Sequence, residues 1–263
     1  MIKALMSNWL IRIFGHFGIR VEKYVEKRKV LDFLEQLRPV TTEVELIRVG
    51  GNDDGGYLIP NDLDGIIALF SPGVAQTATF ELEIANRGIR SYLADYSVDQ
   101  SPSEHKYIQF DKKYVGSRND EQFMTLAEWV HSKNLPVAGD LLLQMDIEGS
   151  EYETILSTTQ DLLSRFRILV VEFHYLDKVS TYFGNKIIIE TFSKLLSRFE
   201  IVHIHPNNCC APVAIHGLQI HPCIEVTFLR RDRFQDSNPT STFPHLLDRP
   251  NIKEKPDHRL ILN

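Results

Sequence analysis

The stretch Asp140 to Leu156, DLLLQMDIEGSEYETIL, constrains the fold more than any other part of this chain. Leu141, Leu142, Leu143 and Met145 form an unbroken apolar run too short for a helix, which reads as a strand buried on both faces. Gly149 supplies a turn, and Glu151, Tyr152, Ile155 and Leu156 then follow at helical spacing. Three acids, Asp146, Glu148 and Glu151, therefore fall at the carboxyl tip of a central strand. In open α/β sheets that is where ligands bind. The same acids would also serve as solvated turn residues or as favourable charges at a helix N-terminus, and spacing alone leaves both readings open.

The rest of the chain repeats this alternation. Residues 21 to 38 read as a helix with Val30, Leu31, Phe33, Leu34 and Leu37 on one stripe, ended by Pro39. Leu46 to Val49 and Tyr57 to Ile59 are short strands around the Gly- and Asp-rich GGNDDGG, a hairpin or ligand loop. From Ile66 strand and helix alternate: strands at 66–70, 91–94, 107–110, 140–145, 167–173, 200–204 and 225–229, with helices at 77–86, 125–133 and 186–198. Thr125 sits where an N-cap is expected. This order predicts a Rossmann-like α/β fold, with helices on both faces of a mainly parallel sheet. Expected boundaries are a helical N-terminal extension over 1–40, a domain over 41–235 and an irregular tail over 236–263 packed on it. No repeat or low-complexity tract interrupts the pattern.

Composition narrows the partners. With 263 residues, 43% hydrophobic and 24% charged, the chain can bury a sizeable core. A net charge of −6 argues against nucleic acid as the main partner. Three cysteines, two of them adjacent at 209 and 210, make no disulfide framework, so a cytoplasmic setting is expected. Residues 1 to 30 carry seven Lys/Arg against two Glu among apolar residues. Such a helix can lie on an anionic membrane surface, pack on its own domain or join two copies in a homodimer.

Several groups have chemistry-bearing positions. LFSPGVAQTATFE, residues 69 to 81, joins a strand to a helix, where backbone N–H groups meet a nucleotide-type ligand, but with only Gly73 it is not GxGxxG. Asp95 ends the next strand, where a carboxylate can hold both hydroxyls of a ribose or simply cap a turn. Asp146, Glu172 and His174 end two neighbouring strands and could form a mixed oxygen and nitrogen site for Mg²⁺ or Mn²⁺. His203, His205, Cys209, Cys210, His216, His221 and Cys223 are dense enough to raise zinc, yet show neither C-x-x-C nor H-x-x-x-H spacing.

Gln144-Met145-Asp146-Ile147-Glu148-Gly149-Ser150-Glu151 resembles the Lys-x-Asp-x-Glu-Gly-x-Glu strand end of the FkbM-type class I S-adenosylmethionine-dependent methyltransferases, with Gln144 in place of the lysine. Asp54-Gly55-Gly56-Tyr57 and Ser71-Pro72-Gly73…Phe80-Glu81 are similar to further motifs of a subgroup, so the likeness spans about residues 45 to 230. It implies a seven-stranded sheet with a reversed last strand and methyl transfer from S-adenosylmethionine to an oxygen of a sugar or small-molecule acceptor. By position it places Ser71, Gly73, Glu81, Asp95, Asp146 and Glu148 at the cofactor. Asp54, Tyr57, Glu151, Asn207 and Asn208 would face the acceptor. The likeness also implies that Asp146 stands at the methyl-transfer centre as a catalytic residue; removing the acceptor's proton needs a base, for which His174 and His205, just past strand ends, are the candidates. The alternative is a non-catalytic relative that keeps the fold as a binding module. A nicotinamide-dependent reductase is disfavoured by the missing GxGxxG.

Overall fold

The alternating apolar runs do fold into one mixed α/β sheet. The structure, a computed structural model, describes residues 13–18, 24–240 and 243–258. In chain order it contains α1 (Lys27–Gln36), β1 (Val40–Thr42), β2 (Leu46–Val49), β3 (Tyr57–Pro60), β4 (Ile66–Pro72), α2 (Thr79–Asn86), β5 (Arg90–Ala94) and β6 (Ile108–Asp111). There follow β7 (Tyr114–Gly116), β8 (Phe123–Thr125), α3 (Leu126–Ser132), β9 (Asp140–Met145), α4 (Glu151–Ser157), α5 (Gln160–Leu163) and β10 (Phe166–Phe173). A 3₁₀ turn (Leu176–Ser180), α6 (Tyr182–Leu196), β11 (Phe199–Pro206), β12 (Val213–Ile215), β13 (Leu218–Ile220), β14 (Ile224–Arg230) and β15 (Ser237–Pro239) complete it.

The central sheet has seven strands in the order β11-β14-β10-β9-β4-β5-β6. Pairs from β10 to β6 are parallel, and β14 enters antiparallel between β10 and β11. Strand alternation divides the core. Phe70, Leu141, Leu143, Leu169, Val171 and Phe173 pack into one cluster with residues of α1, α3, α4 and α6. Leu69, Leu142, Ile168 and Val170 point the other way, onto Phe80 and Ile84 of α2 and Val49, Tyr57 and Ile59 of the β2–β3 hairpin. The second face is thus covered by one helix and a hairpin, where helices on both faces were expected.

Other differences have local causes. The helix expected over 21 to 38 begins only at Lys27, because residues 24–26 are extended and Glu26, at ψ 139°, lies outside helical geometry. Its Val30, Phe33 and Leu37 are buried in the main cluster. Residues 13–16 are helical, but most of the basic N-terminal segment lies outside the described residues, and with it the membrane and second-subunit expectations. The tail is not wholly irregular: β15 pairs with β1, a ladder of three residues too short to carry a period. Thr125 does cap α3, accepting from the Glu128 N–H. Among the described residues no helix is long and apolar enough to cross a membrane.

One close approach fixes how β4 and β9 end. Gly73 has φ +89°, and a Cβ there would lie 1.5 Å from the Asp146 carbonyl oxygen, while the Asp146 N–H donates to the Pro72 carbonyl. Gly73→Ala should therefore cost more than about 3 kcal/mol, combining left-handed backbone strain with backbone displacement. Gly88, at φ +85° with nothing within 4 Å of its Cβ position, should cost only about 1–2 kcal/mol on the same change. Denaturant unfolding of the two variants measures the difference.

Candidate active site at the carboxyl ends of the central strands

The turn after β9 is built by one carboxylate. Glu151 is fully buried, and its Oε1 accepts from the Ile147 and Gly149 N–H groups, both at 3.1 Å. The same oxygen lies 3.0 Å from His174 Nδ1, at the end of β10. Closing the turn this way requires positive φ at Glu148 (54°) and Gly149 (105°). A Cβ at Gly149 would meet the Tyr175 ring at 2.6 Å, so glycine is needed there twice over. Glu151, expected at the acceptor, thus holds the turn and the imidazole and does not line the cavity described below.

His174 is surrounded by acids. Its Nε2 is 3.5 Å from Glu148 Oε2 and 3.9 Å from both Asp146 Oδ1 and Glu172 Oε1. Burial alone would lower its pKa, but the Glu151 hydrogen bond and charge, with Glu172 and Asp146 beyond, raise it. The protonated imidazole is then the favoured form near neutrality, where a base must be neutral. Burial, followed by the Glu172 charge, raises Asp146; burial, followed by Glu225, raises Glu172. Asn207 Nδ2 at 2.7 Å and Cys223 Sγ at 2.8 Å both donate to Glu172 Oε1. Asn207, expected at the acceptor, is instead buried as the holder of Glu172.

A cavity of about 490 Å³ opens at the carboxyl ends of β4, β5 and β9. Among the expected residues, Asp54, Tyr57, Gly73, Glu81, Asp95, Asp146 and Glu148 line it. His174 and Glu172 stand behind Asp146, outside the lining. Asp95 organises the first loop: its Oδ2 accepts from the Ala75 N–H at 2.9 Å and its Oδ1 from the N–H and hydroxyl of Ser97, both at 2.7 Å. Gly73, expected to leave room for a ligand, is required first by the Asp146 carbonyl packed against it.

Ser71 lies beneath the cavity and connects a buried row. Its Oγ is 2.5 Å from Glu81 Oε1 and 2.6 Å from Gln144 Oε1, and Gln144 Nε2 donates to the Tyr57 hydroxyl oxygen at 3.2 Å. One hydroxyl proton cannot serve two acceptors, so a protonated Glu81 completes the row. Burial pushes the Glu81 carboxyl up to about 7, against the lowering effect of Ser71. A lysine at 144 would set a full charge in the place where this neutral amide joins two hydroxyls.

His205 and Asn208 are not brought to the cavity. His205 is buried on β11 with Nε2 3.1 Å from Asp257 and Nδ1 3.5 Å from Glu225. Burial opposes its protonation, but those two acids raise it to about 10. Asn208 donates to the Ile252 carbonyl and accepts from the Ile252 N–H. Both fasten the C-terminal segment over β11, with His203 bound to Asp248 at 2.8 Å. The zinc reading fails on geometry, because among the described residues no three of its seven His and Cys come within ligand reach. Two mixed groups do: Asp146, Glu148 and His174, and Glu172, His174 and Cys223, each within 4.8 Å.

The cavity's aromatic wall has no local signature among the residues that form it. Tyr114 and Phe123, with ring centroids 5.2 Å apart, come from the parallel β7–β8 pair, and each strand has only three residues. Cys223 was visible only as a zinc candidate. No protein-family model matches the chain, and no curated protein matches it.

A buried acid with a raised pKa favours its neutral form when folded. The Glu81 contribution to stability should therefore fall as pH climbs from about 4.5 to about 7 and then level. Glu81→Gln removes that slope while preserving a donor to Ser71. Its stability relative to wild type should rise between pH 5 and pH 8 by about 3 kcal/mol at most, read from unfolding curves at the two pH values.

Proposed function

We propose that this protein is an S-adenosylmethionine-dependent methyltransferase of the FkbM type with a Rossmann-like fold, working in the cytoplasm on a hydroxyl of a sugar or natural-product-like acceptor. The observation that carries the reading is the convergence of Asp95 and Asp146, from neighbouring parts of the sheet, on one cavity at the carboxyl ends of β4, β5 and β9. The antiparallel β14 between β10 and β11 and the Asp146-x-Glu148-Gly149-x-Glu151 turn support it. A volume of about 490 Å³ suits a ligand of nucleoside size.

In this reading the cavity would hold S-adenosylmethionine, which would supply an activated methyl group to the acceptor oxygen and leave as the neutral thioether. Asp95 holds the first loop and offers its one remaining lone pair, on Oδ2, to a ribose hydroxyl. Asp146 takes the acceptor's proton. Burial and the Glu172 charge raise the Asp146 pKa; the His174 charge opposes that rise and so favours the ionised, proton-accepting form, and Asp146 lines the cavity together with Glu148. His174, held by Glu151, is a positioning residue that stabilises Asp146 by charge.

Calorimetric titration with S-adenosylhomocysteine tests the cofactor without an acceptor. One-to-one saturation is expected, weakened by about 1–3 kcal/mol in Asp95→Ala through loss of hydrogen bonds to a charged group. No binding to the wild type would end this reading in favour of a non-catalytic binding module. With an acceptor found from a panel of sugars and polyketides, Asp146→Asn should lower kcat roughly 10²–10⁴-fold. Its affinity for S-adenosylhomocysteine should change little, and full turnover would move the base elsewhere.

A further inference from the structure

His174 carries the arrangement that metal-bound histidines show. One ring nitrogen, Nδ1, is tied to a buried carboxylate, Glu151 Oε1 at 3.0 Å, which fixes both ring orientation and tautomer. The other, Nε2, faces three oxygens, two from the turn after β9 and one from β10: Glu148 Oε2 at 3.5 Å, and Asp146 Oδ1 and Glu172 Oε1 at 3.9 Å. Ligands about 2.1 Å from a shared octahedral centre lie roughly 3 to 4 Å apart. The observed separations fall in that range.

The second observation is a set of buried oxygens that the protein does not satisfy. Among the described residues, Asp146 Oδ1 and Glu172 Oε2 have no hydrogen-bond partner, and Glu172 is 4% exposed. Leaving a buried carboxylate oxygen unpaired is costly, and native structures rarely do so without a ligand or ion. Among the described residues no lysine or arginine forms an ion pair with Asp146, Glu148, Glu151 or Glu172. A bound cation would supply that positive charge in place of the Nε2 proton, leaving His174 neutral with its Nδ1–H donated to Glu151.

We propose that Asp146, Glu148, Glu172 and His174 form a site for a hard divalent cation, Mg²⁺ or Mn²⁺, at the inner end of the cavity. Three carboxylates and one imidazole suit such an ion. Zinc would favour the overlapping group that includes Cys223. The Cys223 thiol, however, donates to Glu172 Oε1 at 2.8 Å and so acts as a protonated donor there. Glu148 is the exposed member, its side chain 88% accessible where it lines the cavity. The cation's place in methyl transfer, binding the acceptor hydroxyl beside Asp146, rests on the function proposed above; its existence does not.

The test is titration of the EDTA-treated, dialysed full-length protein with Mn²⁺, followed by the electron paramagnetic resonance signal of the free ion. We expect one saturable site per chain, competed by Mg²⁺. Glu148→Gln, at an exposed position that folding does not need, should weaken it roughly tenfold or more. Glu172→Gln should do the same or abolish it, and Glu104→Gln, a surface acid outside the site, should leave it unchanged. The proposal is overturned by the absence of saturable Mn²⁺ binding to wild type, or by binding that survives both site substitutions undiminished. Zn²⁺ binding that is lost in Cys223→Ser, without Mn²⁺ binding, would also overturn it in favour of a thiol site. Because S-adenosylhomocysteine is titrated separately, failure of the metal site and failure of the methyltransferase reading are told apart.

Discussion

The carboxylate of Glu151 is the constraint on which the candidate site depends. A buried acid accepting two backbone N–H bonds and an imidazole removes the usual choice of conformations from a turn that already has two consecutive residues at positive φ. With the turn closed, Asp146 and Glu148 must point towards the cavity and His174 must present Nε2 to them. Nothing in the chemistry of the acids alone would align them, since like charges repel and each would be better solvated apart. The alignment is imposed by the ends of β9 and β10, joined by the Glu151 clamp.

Strand parity then distributes polar and apolar groups. Residues of one parity in β9 and β10 bury Leu143, Val171 and Phe173 in the larger core cluster, so their neighbours Gln144 and Glu172 face the hairpin side. β14 adds Glu225, paired with both Glu172 and His205 across the ladder. A row of titratable groups thus crosses the sheet on one face, near the carboxyl ends of its parallel strands. Only its β9–β10 end reaches the cavity. The β11 end is sealed by the C-terminal segment through Asp248 and Asp257, which explains why two histidines in similar sequence settings take different parts.

The neutral row from Glu81 through Ser71 and Gln144 to Tyr57 accounts for the departure at position 144. An amide both accepts and donates, so it can join a serine hydroxyl to a tyrosine hydroxyl, whereas an ammonium only donates. The buried Glu81 then remains satisfied while uncharged. Gln144 is consistent with its three neighbours, and its amide is used within this row.

From sequence alone the sheet was legible, because unbroken apolar runs such as Leu141 to Leu143 and Leu169 to Val171 admit little other than buried strands. The Asp146 turn, the Thr125 cap and the end of α1 before Pro39 were legible for the same reason: each depends on residues within a few positions of one another. Tertiary structure alone decided which distant groups meet. His174 and Glu151 are 23 positions apart and Asn207 and Glu172 are 35 apart, and no local period encodes such pairings. It also decided that His205, Asn207, Asn208 and Glu151 lie outside the cavity lining and bond to other parts of the chain, because burial and long-range partners are properties of the packed chain. Short ladders such as β7–β8 and β1–β15 stayed unreadable, since three residues are too few to show alternation and their stability comes from what they pack against.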